Sequence, residues 1–283
     1  VPLFLESISR SRVLDLLLLT DAEPPALPPN ARAERWTLAE YRARAEARLG
    51  FPVALEDVRK LCDVKPAHGW IMHDRLEGYD WWAFGDEDVF LGDIDRLLLP
   101  RLARRPDLLT PGHGMIVGHF TLVSTADGPT GLAPRDPAFR AAMATPRHLA
   151  YDENGWGGAE RAFSDVVAEA ERAGRLTVDR GLPILGDHAW AGRSIHWDGA
   201  RLHYRGLERD GPDTEIAYFH WGRLRGDRPA FPPAEAAAKG LAWDRYGFFD
   251  AGLPAPLQAA RRTANRAHGV LQKLGKRAGV RVP

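Results

Sequence analysis

Tyr79–Pro100 reads YDWWAFGDEDVFLGDIDRLLLP. An apolar, aromatic run, Trp81 to Phe84, stops at Gly85. Asp86, Glu87 and Asp88 follow, and apolar Val89, Phe90 and Leu91 resume at once. The pattern predicts a core strand with charge placed at its end. Side chains on a strand alternate with a period of two, so Asp86 and Asp88 can converge on one side. Carboxylates placed there are costly if left unpaired, and the hard oxygen ligands they offer suit magnesium, manganese or calcium. The D-x-D spacing alone leaves a ligand pair and a solvated strand-end turn both open.

Asp93 and Asp95 form a second D-x-D within the same stretch. They do not interrupt an apolar run but precede one, Leu97 to Leu99, where a turn and a helix start are expected. Asp93 therefore reads as a cap or turn residue. A calcium loop of the EF-hand type is excluded, because its fifth position is Phe90, which offers no oxygen.

Outward from this stretch, the whole chain of 283 residues is 45% hydrophobic and 27% charged, enough for one large domain or two small ones. Lys plus Arg equals Asp plus Glu at 38 each, so no global charge points to nucleic acid as a partner. The single cysteine, Cys62, rules out an internal disulfide, fits a reducing compartment such as the cytoplasm, and reads as small core filler. Val13–Leu19 is apolar but short and contains Asp15, and no run approaches the roughly 20 residues of a spanning helix.

Along the chain, Pro2–Arg12 reads as a helix and Val13–Leu19 as a buried strand, which suggests an α/β layout. The chain opens in mid-pattern, so something upstream of Val1 is expected. Glu23–Asn30 is a Pro-rich loop. Thr37–Leu49 is a helix with a capping box, Thr37 and Glu40, closed by Gly50. Asp57–His73 reads as another helix, perturbed by Pro66. Gly114–Ser124 is a strand carrying His119, and Asp136–Ala144 and Ala159–Ala173 are helices. Arg193–Trp197, Arg201–Arg205 and Glu215–Phe219 are short strands, the first two joined by a hairpin turn at Asp198-Gly199-Ala200. Tyr151–Gly158 (YDENGWGG) is too glycine-rich for regular structure. A loop of this kind can present Asp152 or Glu153 to a pocket, with Trp156 able to stack on a sugar face; capping of the next helix is the competing reading.

Four ordered motifs carry a resemblance: K-L-C-D-V-K-P-A-H-G at Lys60–Gly69, W-W-A-F-G-D-E-D-V-F-L-G-D at Trp81–Asp93, G-H-F-T-L at Gly118–Leu122, and Y-D-E at Tyr151–Glu153. Over roughly Leu3 to Phe231 the chain resembles a bacterial family assigned as polysaccharide glycosyltransferases with the GT-A fold, whose members carry W-G-Y-x-D-x-D-x-x-F-G-D. More widely it is similar to glycogenin-like and capsular glycosyltransferases, in which a later H-x-x-G reaches back to the metal. His220, Trp221, Gly222 and Arg223 stand as its partial counterpart. The Lys-Pro-Trp that often follows is replaced by Arg228, Pro229 and Ala230, which leaves Arg223, Arg225 and Arg228 for the phosphate contact.

The resemblance implies a GT-A-like α/β catalytic domain over residues 1–250, with a mixed, mostly parallel sheet flanked by helices, and a first strand and a glycine-containing loop upstream of Val1. It implies a divalent metal, manganese or magnesium, held by Asp86, Asp88 and His220. It further implies a nucleotide-sugar donor, a UDP-sugar by preference, contacted by Lys60, Asp63, Lys65, Glu87, His119, Arg223 and Arg225. Asp63 and Lys65 are also placed to form a structural ion pair. Asp152 and Glu153 are the candidates for a base toward a glycan or lipid-linked acceptor, or for stabilising an oxocarbenium-like sugar. Two other functions fit the same residues: a sugar nucleotidyltransferase, and a non-catalytic carbohydrate-binding protein that keeps the fold.

Residues 251–283 contain no Asp or Glu, and apolar Leu257, Ala260, Ala264, Ala267, Leu271 and Leu274 recur at steps of three and four. This predicts a basic amphipathic helix over Leu257–Lys276. One reading lays it on an anionic membrane surface at the cytoplasmic face, and the other packs it through its alanines on the catalytic domain.

Overall fold

A computed structural model describes residues 2–111, 114–185, 194–205, 214–220, 241–244 and 247–250, with isolated positions between 256 and 267. The fold is mixed α/β, and the chain divides into two compact units. One comprises residues 16–86 and 98–182; the other comprises 1–15, 87–97 and 183–283. No helix among the described residues is long and apolar enough to cross a membrane.

In the 16–86 and 98–182 unit, Leu16–Thr20 pairs in parallel with Ala31–Arg35. Helix Leu38–Leu49 follows, and Thr37 and Glu40 form the expected capping box. Gly50 closes it in a left-handed conformation, φ 75°. The single helix expected over Asp57–His73 is instead a chain of short 3₁₀ and α turns from Val58 to Arg75. Pro66 has no N–H to return to the preceding turn, so a continuous α ladder cannot pass through it. A four-stranded sheet follows in the order Trp81–Gly85, Phe120–Ser124, Leu108–Leu109, Val178–Asp179. Its core face presents Trp82 and Phe84, which pack with Val64, Ile71, Phe139, Tyr151 and Phe163, while Ala83 and Gly85 face outward. This is the period-two burial expected of a strand covered on one face.

The other unit opens with helix Pro2–Ile8. Strand Val89–Leu91 is buried at every position and pairs antiparallel with Tyr218–His220. That strand in turn pairs in parallel with Ile184–Leu185. A second sheet, in the order Thr214–Ile216, Leu202–Arg205, Ser194–Trp197, Leu241–Asp244, Gly247–Asp250, is antiparallel throughout. The expected hairpin turn is present: Asp198 Oδ1 accepts from Ala200 N and Arg201 N. The strand expected over Glu215–Phe219 is divided, its two halves joining different sheets.

The expectation of a mostly parallel sheet is corrected here. Among the described pairings, antiparallel ones outnumber parallel ones. A parallel pair needs a crossover of about a dozen residues or more, whereas links as short as Asp198–Arg201 can only reverse the chain. Residues 257–276, expected as a basic helix, lie outside the described residues except at a few positions, as do Arg223, Arg225 and Arg228.

Candidate functional site

The Trp81–Gly85 strand ends against His119. Asp86 N donates to His119 O at 3.3 Å, and a Cβ on Gly85 would fall 2.9 Å from the same carbonyl. Only glycine lets the strand end so close to its neighbour. Asp86, Glu87 and Asp88 then form the turn into Val89–Leu91, with Glu87 exposed at its tip. His220 is set by register, because it pairs with Val89, the residue after Asp88. Its Nε2 lies 3.1 Å from Asp88 Oδ1, and both side chains are largely buried. A carboxylate and an imidazole side by side are a donor pair suited to a divalent metal.

Around Asp86, the ammonium of Lys65 is the organising charge. It ion-pairs with Asp86, donates to Gly118 O at 3.0 Å and lies 3.7 Å from Asp152 Oδ2. Burial pushes the Lys65 pKa down, but Asp86 and Asp152 outweigh it and the net shift is upward. Burial drives the Asp152 carboxyl up to about 8, against the opposing pull of Lys65. Gly118 is tightly enclosed: a Cβ there would sit 2.2 Å from Asp152 Oδ2. Its N–H donates to Glu153 Oε1 at 3.0 Å, while Glu153 Oε2 accepts from Trp156 Nε1 at 3.1 Å. The side chains of Asp152 and Glu153 do not cap the next helix, although Glu153 O accepts from Ser164 N at 3.0 Å; at its N-cap, Asp165 accepts from Ala162 N at 2.9 Å. Ala150, just before them, is buried in the left-handed region at φ 54°, a strained geometry for a residue with a Cβ.

The sequence profile of a family described as "Family of unknown function (DUF6625)" matches residues 1–224. The chain belongs to the DUF6625 family. No curated protein and no solved structure gives a significant match.

Within this DUF6625 chain, two of the expected donor contacts take a different role. Lys60 is fully buried, and its three N–H groups are directed to Asp63 Oδ2 (2.9 Å), Ala142 O (2.7 Å) and Arg147 O (2.9 Å). Asp63 is equally buried and accepts from Leu149 N (2.9 Å) and Tyr151 N (2.8 Å) as well. An ammonium has three donors, so Lys60 has none left for a ligand. The pair anchors the segment that presents Asp152. Asp63 and Lys65 are not paired with each other: Asp63 takes Lys60, and Lys65 takes Asp86. Cys62 is half-buried, and its thiol is pushed up to about 11 by desolvation. His119 is half-buried and contributes its carbonyl to Asp86.

Sequence reading missed His148. With Asp63 and Asp152 it forms a second group whose ligand atoms lie within 4.8 Å of one another. Asp63 is already committed to three internal donors there. Gly118 was inside a quoted motif, but only the approach of Asp152 reveals its role.

Proposed function

We propose that this DUF6625 chain is a metal-dependent glycosyltransferase of the GT-A type. It would move a sugar from a nucleoside diphosphate donor, a UDP-sugar by preference, to a glycan or lipid-linked acceptor in bacterial surface polysaccharide synthesis. The observation that carries the reading is the Asp88–His220 contact, 3.1 Å between residues far apart in sequence, with Asp86 two residues before Asp88. Acidic and imidazole ligands, rather than thiolates, fit manganese or magnesium. When bound by Asp86, Asp88 and His220, such a cation supplies Lewis-acid stabilisation of a departing diphosphate.

The chain's own residues account for the rest. Lys65 neutralises Asp86 and holds Asp152 nearby, so fixed positive charge is already built into the carboxylate cluster. Asp152, with its pKa pushed up to about 8, would take a proton from an acceptor hydroxyl in its ionised form, whose share grows as pH rises toward 8. The test is thermal stabilisation by manganese together with UDP, followed by a donor screen that reads nucleotide release. Stabilisation by the pair beyond either alone supports the reading; none with any nucleoside diphosphate removes it.

A further inference from the structure

Trp156 is 69% exposed, yet it is held in a defined orientation. Its Nε1 donates to Glu153 Oε2 at 3.1 Å, and the other oxygen of Glu153 is fixed by Gly118 N at 3.0 Å. On another side the His148 ring meets the indole edge-to-face, centroids 5.4 Å apart at 74°. His148 Nε2 lies 3.8 Å from Asp63 Oδ1. The Trp156 backbone N–H donates to Asn154 Oδ1 at 3.3 Å. Trp82 and Trp197, by contrast, are buried.

An indole gains nothing for the fold by facing water, since its apolar area stabilises only when removed from it. Here polar side chains are used to aim one outward instead. The carboxylate of Glu153 is hydrogen-bonded to it, and a carboxylate accepts hydrogen bonds but donates none. A flat ring with acceptors beside it matches a pyranose, which offers a C–H face to the ring and hydroxyl donors at its rim. The same carboxylate disfavours an anionic ligand.

We propose that Trp156 is the stacking platform for a neutral pyranose ring of the acceptor, and that Glu153 is a positioning residue that orients it. The acceptor assignment rests on the glycosyltransferase reading; the sugar platform itself does not. It also separates the two carboxylates expected to act alike: Asp152 keeps the chemical role, and Glu153 acts through Trp156.

The test is saturation-transfer NMR on the full chain, without nucleotide, using methyl β-glucopyranoside and methyl β-galactopyranoside. Transfer to the C–H face of at least one glycoside is expected in the wild type. It should fall by about tenfold in Trp156→Ala, the size of an aromatic contact. Glu153→Ala should weaken the signal, and Glu153→Gln, which keeps an acceptor for the indole, should restore part of it. A signal unchanged in Trp156→Ala, or absent from the wild type with both glycosides, overturns the proposal. Loss of manganese-plus-UDP stabilisation in Trp156→Ala overturns it too, by assigning the ring to the donor base. Sugar binding through Trp156 without any nucleotide effect leaves the platform standing and removes the glycosyltransferase.

Discussion

His220 Nε2 lies 3.1 Å from Asp88 Oδ1, because the strand ending at His220 pairs antiparallel with the strand that Asp88 introduces. Neither residue is placed by its own neighbours; the register places both. His220→Ala and Asp88→Ala should each weaken manganese binding by at least about tenfold, the scale seen when a metal site loses a supporting group. Titration of manganese followed by the electron-spin resonance signal of the free ion checks this. Unchanged affinity in both variants would remove the metal assignment.

Asp93 provides the internal contrast. Its Oδ1 accepts from Arg96 N at 3.2 Å, at the start of helix Ile94–Leu102. Asp93→Ala should lower stability by about 1 kcal/mol, the usual value of an N-cap, and leave manganese binding alone. Urea unfolding beside the same titration distinguishes the two aspartates. A metal effect at Asp93 equal to that at Asp88 would mean that the two D-x-D pairs had been read the wrong way round.

What the sequence made legible was local. The Thr37–Glu40 box, the Gly50 stop, the Asp93 cap and the Asp198 turn each depend on residues within four positions, so composition and spacing suffice. The Trp81 strand and its terminal carboxylates were legible for the same reason. What could not be read is long-range satisfaction. The spacing offers Lys65 as the partner of Asp63, and nothing in it announces Lys60 instead, or Ala142 O, Arg147 O, Leu149 N and Tyr151 N as the remaining partners. Those contacts turn two expected ligand-binding residues into an anchor. Similarly, His148 is unremarkable until the fold brings its ring against Trp156, which the sequence itself singles out.

The anchor has its own consequence. Removing the ammonium of a buried pair leaves an uncompensated carboxylate, which costs about 3–5 kcal/mol. Lys60→Met should therefore lower stability by roughly that amount. In the folded fraction, affinity for manganese and UDP should change little. Denaturant unfolding and ligand titration, done on the same preparation, measure both. A stable Lys60→Met variant that had lost nucleotide affinity would return Lys60 to the donor site.

Asp152 should behave in the opposite way. Asp152→Asn removes a proton acceptor without changing shape, and it relieves the burial of an ionisable group. Sugar transfer should fall by about 10²-fold or more, the usual size of acid–base catalysis, with nucleotide stabilisation retained. Gly118→Ala should mimic it, since the added Cβ meets Asp152 Oδ2 at 2.2 Å. Comparing transfer rate with the thermal shift produced by manganese plus UDP tests both variants. Retained transfer in Asp152→Asn would exclude it as the base.

His68 sets a pH dependence of stability that is separate from the site. It is half-buried on a short helix, edge-to-face with Tyr41 at 5.8 Å, and desolvation lowers its pKa from 6.5 to about 4, with Lys65 adding to the shift. The fold therefore holds the neutral ring. Between about pH 6.5 and 4 the unfolded chain binds a proton that the folded chain does not, so stability rises with pH across that window. Its contribution is fully present above pH 6.5 and is lost progressively as pH falls toward 4. His68→Phe keeps the ring contact with Tyr41 and has nothing to protonate. Urea unfolding at a series of pH values should show a slope from pH 6.5 to 4 that is shallower in the variant than in the wild type by up to about 1.4 kcal/mol per pH unit. Parallel curves for the two proteins would show that His68 is protonated within the fold.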